Sequence, residues 1–226
     1  MSFSKSEKIF LVIVGIYWVI SPFVWAATGQ FLHAFLAWNL FLAIIPWLLA
    51  KLIVQKTWKK TWMVMALSLA WLLFLPNAFY LITDLIYLSE RVYIEQAHLY
   101  AEIIYLSHYL DWMVLFHIVS GMFIALFAGC LSLSIMHSKL QVLYSKRKSF
   151  WIILSVMGLS SIGIYIGRFF RYNSWDMSRV FTIIKDLVDH FGFDMIFFIG
   201  GYTILHLLVY GLFQLTLSIK TMDIKP

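Results

Sequence analysis

Six stretches of this chain are each mostly apolar over about 20 residues, the length a helix needs to cross the hydrocarbon core of a bilayer. They cover residues 9–27, 33–54, 62–80, 111–136, 150–170 and 194–219. In lipid the backbone must satisfy its own hydrogen bonds, so apolar runs of this length become helices. The expectation is an all-α, polytopic membrane helix bundle of six transmembrane helices, forming a single domain over residues 1–226. Composition agrees. Of 226 residues, 62% are hydrophobic and only 12% are charged, and mean hydropathy is +0.87. So few polar residues cannot cover a water-soluble domain of this size. That argues against a soluble enzyme, a disordered chain and a nucleic-acid module. The first apolar run is also longer than the 7–15 or so residues of a signal-peptide core.

The net charge of +6 reads as topology rather than as affinity for nucleic acid. Twelve of the 17 basic residues fall on one side of the six spans: Lys5, Lys8, Lys51, Lys56, Lys59, Lys60, Lys139, Lys146, Arg147, Lys148, Lys220 and Lys225. The other side holds Arg91, Arg168, Arg171, Arg179 and Lys185. The positive-inside rule then places both termini in the cytoplasm. Among the acids, Glu7 and Asp223 fall inside and the rest outside or at the outer helix ends. The lone Cys130 excludes an internal disulfide and any multi-cysteine metal site. The seven histidines (His33, His98, His108, His117, His137, His190 and His206) show no HxxxH or HExxH spacing, so no metal and no cofactor are expected.

Two segments between spans are long. In residues 176–191, Met177, Val180, Phe181, Ile184, Leu187, Val188 and Phe191 recur at helical spacing. They predict an interfacial helix between helices five and six, or equally a helix packed over the bundle. Residues 89–110 are expected to be helical in part, with Leu99, Ile103, Leu106 and Leu110 on one stripe.

Polar groups within spans are costly unless paired, so their placement is informative. Here they gather toward the outer ends: Asn39, Pro76-Asn77, Tyr80, Thr83, Asp84, His108, Asp111, His117, Arg168, Arg171, Asn173 and Asp176. Pro76 removes a helix hydrogen bond, and Asn77 and Thr83 are placed to replace it. Arg168 and Arg171, three apart, share a helix face, and two guanidinium forks suit a phosphate or carboxylate. The competing reading pairs these arginines with Asp84, Asp111 and Asp176 as a structural lock. On span six, Tyr202, His206, Tyr210 and Gln214 repeat every four residues; interhelical hydrogen bonding is favoured over a polar path. Gly121, Ala125 and Gly129 on span four, and Gly163 and Gly167 on span five, predict that these two spans pack through their small-residue faces, bringing His117 near Arg168.

The strings WNLFLAIIPWLLA (residues 38–50), WLLFLPNAFYLITDLIYL (71–88) and GIYIGRFFRYNSWD (163–176), with the Tyr109-Leu-Asp111 entry to span four, resemble the bacterial membrane family called domain of unknown function 1361. One departure is Phe79, where a second proline is expected. The resemblance implies one multi-span domain in a bacterial cytoplasmic membrane, and it brings no activity.

Three functions fit. The first is binding or transport of a small anionic or zwitterionic ligand, or a lipid head group, in an outer-side pocket built from Asn39, Asn77, Tyr80, Asp84, Asp111, His117, Arg168, Arg171, Asn173 and Asp176. The second is an enzyme acting on a lipid or cell-wall precursor at the outer leaflet, with Asp84 or Asp111 as base. The third is a membrane scaffold or accessory subunit. The lipid bilayer is the one partner all three require.

Overall fold

A computed structural model describes residues 2–55, 58, 60–96, 99, 100 and 102–222. Lys56, Lys59, His98, Asp223 and Lys225 lie outside the described residues, as do the side chains of Met177 and Lys220. Among the described residues the fold is all-α apart from one short hairpin. In order come α1 (Lys5–Thr28), α2 (Leu32–Gln55), α3 (Thr61–Tyr80) with a 3-10 helix directly after it (Leu81–Glu90), β1 (Ile94–Glu95), β2 (Ile104–Tyr105), α4 (Tyr109–Leu143), α5 (Lys146–Tyr165) running into a π turn (Ile166–Phe170), a 3-10 turn (Asp176–Arg179), α6 (Val180–Asp189) and α7 (Phe193–Met222). Six helices are long and apolar enough to cross a membrane. Their ends are set locally. Ser4 and Glu7 form a capping box at the start of α1, and Gly29 closes α1 in the left-handed region at φ 68°. Ser145 caps α5 by accepting from the Lys148 amide.

The chain divides into two compact units, with α2 and α4 contributing to both. The first comprises Ser2–Phe41 and Tyr80–Ala125. Its apolar centre is Leu36, Val114 and Ile118, with Leu32, Leu85, Tyr87 and Leu88 packed around them. Phe10, Val14, Tyr17, Ser21 and Val24 form the buried seam of α1. Their alternating spacing of four and three is that of a helix with one packed face. The remaining faces carry exposed Val12, Val19 and Phe23, as a helix bordering lipid does.

The second unit comprises Leu42–Phe79 and Leu126–Pro226. Trp71, Leu75, Ala78 and Phe79 of α3 are buried, as are Ala128 and Leu133 of α4 and Ile153, Met157 and Ile164 of α5. The Trp71 indole donates to Ser132 Oγ at 2.7 Å. The span-six stripe is stitched to its neighbours. His206 Nε2 meets Ser160 Oγ at 3.2 Å, Tyr210 Oη meets His137 Nδ1 at 2.9 Å, and Gln214 donates to Ser134 Oγ at 3.3 Å. Phe79, the residue in place of the expected proline, is fully buried with its ring 4.0 Å from that of His206.

Three expectations are corrected. Among the described residues of 89–110 only 89–90 and 109–110 are helical, so Leu99, Ile103, Leu106 and Leu110 do not share one helical stripe. Ile94 pairs with Tyr105 and Glu95 with Ile104 in an antiparallel hairpin, and β-branched and aromatic residues on both strands favour that geometry over a helix. The glycine faces of α4 and α5 do not receive each other. Gly121 receives the Tyr17 ring, Gly129 receives Phe79 and Ala78, and Gly163 receives Pro76. Large rings from α1 and α3 fill the notches that small residues leave. Third, the helix does not carry Arg171 onto the face of Arg168. The π turn ends at Phe170, and Arg171 takes the left-handed conformation (φ 60°), which no other non-glycine among the described residues adopts. The 176–191 segment is helical as expected, over its 3-10 turn and α6.

Candidate functional site

The most connected polar cluster of the first unit lies among α1, the start of α2 and α4. Tyr17 and Ser21, one turn apart on α1, face His117 of α4, and His33 of α2 joins them. The Tyr17 and His117 rings stack at 4.5 Å, and His33 sets its edge against His117 at 4.8 Å. Gly121 makes room for the Tyr17 phenol; a Cβ there would collide with it.

The hydrogen bonds order the protons. Ser21 Oγ lies 2.7 Å from the Tyr17 carbonyl, which can only accept, so the single hydroxyl proton goes there. His117 Nε2, 2.9 Å from the same Oγ, must then be the donor. Neutral His117 therefore has a bare Nδ1, which accepts from His33 Nδ1 at 3.1 Å, with the Tyr17 hydroxyl at 3.4 Å. His33, having donated from Nδ1, keeps a bare Nε2. That nitrogen is fully buried and has no hydrogen-bond partner among the described residues. Buried polar atoms are nearly always satisfied, so an orphan acceptor marks a place where a donor fits.

A charged group lies at the start of α4, the helix that carries His117. Arg91 Nη1 is 3.0 Å from Asp111 Oδ1, and both side chains are 18% exposed. His108 Nδ1 lies 3.3 Å from the other carboxylate oxygen. Tyr93 donates to the Asp111 carbonyl at 3.2 Å, and Trp112 donates to the Leu106 carbonyl at 2.9 Å, fixing the hairpin to the start of α4. Burial, then the nearby Asp111 carboxylate, push the Tyr93 phenol above its ordinary value. Between α1 and α4 runs an open groove of about 530 Å³. Tyr17, Ile20, Val24, Tyr109, Trp112 and Phe116 wall it, and His117 and Ser120 supply its polar points. That volume lies within the 300–1,000 Å³ or so typical of ligand sites.

The residues singled out from sequence divide between the units. Asn39, Tyr80, Asp84, Asp111 and His117 belong to the first; Asn77, Arg168, Arg171, Asn173 and Asp176 belong to the second. In the first, Asp84 is wholly buried and Asn39 nearly so, with the Asn39 Nδ2 lacking a hydrogen-bond partner among the described residues. Asp111 is paired with Arg91, a partner the spacing did not indicate. In the second, Asn77 bridges the Phe74 carbonyl (3.0 Å) and Ser174 Oγ (2.9 Å). Asp176 accepts from the Asn173 amide at 2.7 Å, closing the turn after the π segment. Arg171 is exposed. Tyr17, Ser21, His33 and Arg91 were not singled out. The four-residue spacing of Tyr17 and Ser21 in an apolar run was a usable signal, whereas nothing in sequence links His33 to His117, 84 residues away.

No group of three or more metal-ligating side chains occurs among the described residues. The six apolar helices define an integral multi-pass membrane protein. Residues 38–209 match the family described as protein of unknown function DUF1361, and the chain belongs to that family. Searches of curated proteins and of solved structures return no match.

Proposed function

We propose that this protein binds a small zwitterionic or anionic ligand with an apolar portion, and that binding is the first step of its passage through or presentation at the membrane. The observation that carries this reading is the groove between α1 and α4, apolar along its walls, one of which is Trp112, the residue that follows Asp111 of the Arg91–Asp111 pair. An apolar body fits Ile20, Val24, Trp112 and Phe116. A head group with both charges exchanges the internal pair for two new ones, phosphate or carboxylate on the Arg91 fork and ammonium on Asp111. By the lysine count this end faces outward, in a cell membrane. Arg168 and Arg171 of the second unit, the latter exposed, offer an anion a separate landing point.

One contact favours an enzyme instead: Ser21 Oγ and His117 Nε2 are 2.9 Å apart, the reach of a nucleophile and its base. Ser21 is 1% exposed, its proton is engaged by the Tyr17 carbonyl, and it is not part of the groove wall. Binding is therefore the better-supported reading.

The test uses the full chain in nanodiscs of phosphatidylglycerol. Short-chain phosphatidylethanolamine is titrated while tryptophan fluorescence is followed, with short-chain diacylglycerol as the uncharged control. The expected result is saturable binding of phosphatidylethanolamine, weakened at least tenfold, about 1.4 kcal/mol, by Asp111→Asn and by Arg91→Gln. Equal affinity for the two lipids would sink the reading. Loss of a turnover activity in Ser21→Ala with unchanged binding would favour the enzyme.

A further inference from the structure

The second unit holds another crevice, between the end of α5 and the start of α7, with a volume of about 380 Å³. Its α7 wall is one helical face: Asp194, Phe197, Phe198, Gly201 and Tyr202 follow the spacing i, i+3, i+4, i+7 and i+8. Tyr165 and Phe169 face them. The rings form a connected wall. Phe169 lies 4.6 Å from Tyr165 and 5.2 Å from Phe198, and Phe198 stacks on Tyr202 at 4.8 Å. The lining contains five aromatic rings, one carboxylate and no basic residue.

We propose that this crevice binds a quaternary ammonium group. Aromatic faces carry negative electrostatic potential, so several rings around one point attract a cation without offering it hydrogen bonds. Asp194 adds a formal negative charge at one edge. A primary ammonium needs three acceptors, and a carbon-rich lining supplies them poorly. A tetraalkylammonium has no N–H to satisfy and presents methyl groups to the rings, so it matches both the charge and the apolar surface.

Two further features concern the space itself. Glycine inside a helix is destabilising relative to alanine, so it calls for a reason. Gly121, Gly129 and Gly163 have one, because side chains press on them. Gly201 has no such neighbour, nor do Gly15, Gly158, Gly200 and Gly211, but of these Gly201 is the one that lines the crevice. The π turn at Ile166–Phe170 sets Phe169 into the wall, and π turns recur at functional sites.

The same chemistry comes from a soluble molecule such as choline or from a choline-headed phospholipid, and the experiment separates them. The full chain is placed in phosphatidylglycerol nanodiscs, and binding of choline is followed by saturation-transfer NMR of its methyl protons. The control is 3,3-dimethylbutan-1-ol, in which carbon replaces the charged nitrogen. Choline is expected to bind at least tenfold more tightly than this isostere. Asp194→Asn should weaken it at least tenfold, and Gly201→Leu, whose Cβ meets nothing within 4 Å and whose side chain takes up crevice volume, should abolish it. Glu95→Gln, an exposed carboxylate of the other unit, should leave it unchanged. Displacement of choline by phosphatidylcholine in the nanodisc assigns the site to the lipid head group; no displacement assigns it to the soluble cation. Equal binding of choline and isostere would overturn the proposal and leave an ordinary aromatic contact. So would choline binding that survives Gly201→Leu.

Discussion

His206 and the His33–His117 pair are all buried histidines in apolar spans, yet they are satisfied differently. His206 has both ring nitrogens engaged. Nδ1 donates to the Tyr202 carbonyl at 2.7 Å, and Nε2 meets Ser160 Oγ at 3.2 Å. His117 likewise has both nitrogens engaged, by Ser21 and His33. His33 has one, and its Nε2 has no donor among the described residues. A buried histidine with both nitrogens paired is explained by packing alone. One left with a bare nitrogen, packed against a histidine that lines a groove, is better explained by what it is there to meet.

The largest effect should come from replacing the two histidines with leucine. His206→Leu removes two hydrogen bonds in a packed interior and should cost about 2 kcal/mol of stability. Ligand binding at the groove should be unchanged. His33→Leu loses one bond but also removes an unsatisfied acceptor, so its stability should change by less than about 1 kcal/mol. Its binding should fall at least tenfold. Unfolding in mixed micelles and the phosphatidylethanolamine titration read the two quantities. Equal destabilisation without a binding difference would erase the distinction.

Next in size is Gly121→Ala. The new methyl displaces the Tyr17 ring from His117 and should cost about 1–2 kcal/mol, the range of mild overpacking. Gly158→Ala on α5, where a Cβ meets nothing within 4 Å, should be neutral or stabilising in the same unfolding assay. A neutral Gly121→Ala would show that the stacking is not tight.

Arg91→Ala comes third. The pair it forms with Asp111 is partly exposed, so the stability loss should stay under about 1 kcal/mol, seen as faster proteolysis of the hairpin rather than as global unfolding. Loss of the whole fold would make Arg91 a structural residue.

The smallest effect lies in the second unit, at Tyr172, whose hydroxyl donates to Asp186 Oδ2 at 2.9 Å. That hydrogen bond, and after it burial, raise the phenol above its ordinary value of 10.0. The folded-state value is the higher one, so the bond's contribution is complete below pH 10 and is lost as pH rises through the raised value. Tyr172→Phe should differ from wild type below pH 10 and converge with it above, as followed by hydrogen exchange in α6. Phenolate absorbance should show one late-titrating tyrosine fewer in the variant.

Much of the fold was legible because its cause is local. Each span announces itself by length and apolar content, and α6 by its periodicity. The span-six stripe was also readable, because Tyr202, His206, Tyr210 and Gln214 lie on one face of one helix. The hairpin was not. Leu99, Ile103, Leu106 and Leu110 mimic a helical stripe, while the deciding pairs, Ile94 with Tyr105 and Glu95 with Ile104, are ten residues or so apart. The candidate site was half legible. Asp111 and His117 were visible as costly residues in or beside a span, but their partners Arg91, Tyr17, Ser21 and His33 come from other segments.

The sequence by itself determined that the chain makes six membrane-length helices and that its scarce polar groups must find partners within them. Both follow from the cost of exposing polar backbone and side chains to lipid, a cost that acts residue by residue. Only the tertiary structure decided which partner each group finds, which glycine receives which ring, and that one histidine nitrogen is left bare. Those outcomes depend on distances between helices, and no single helix carries that information.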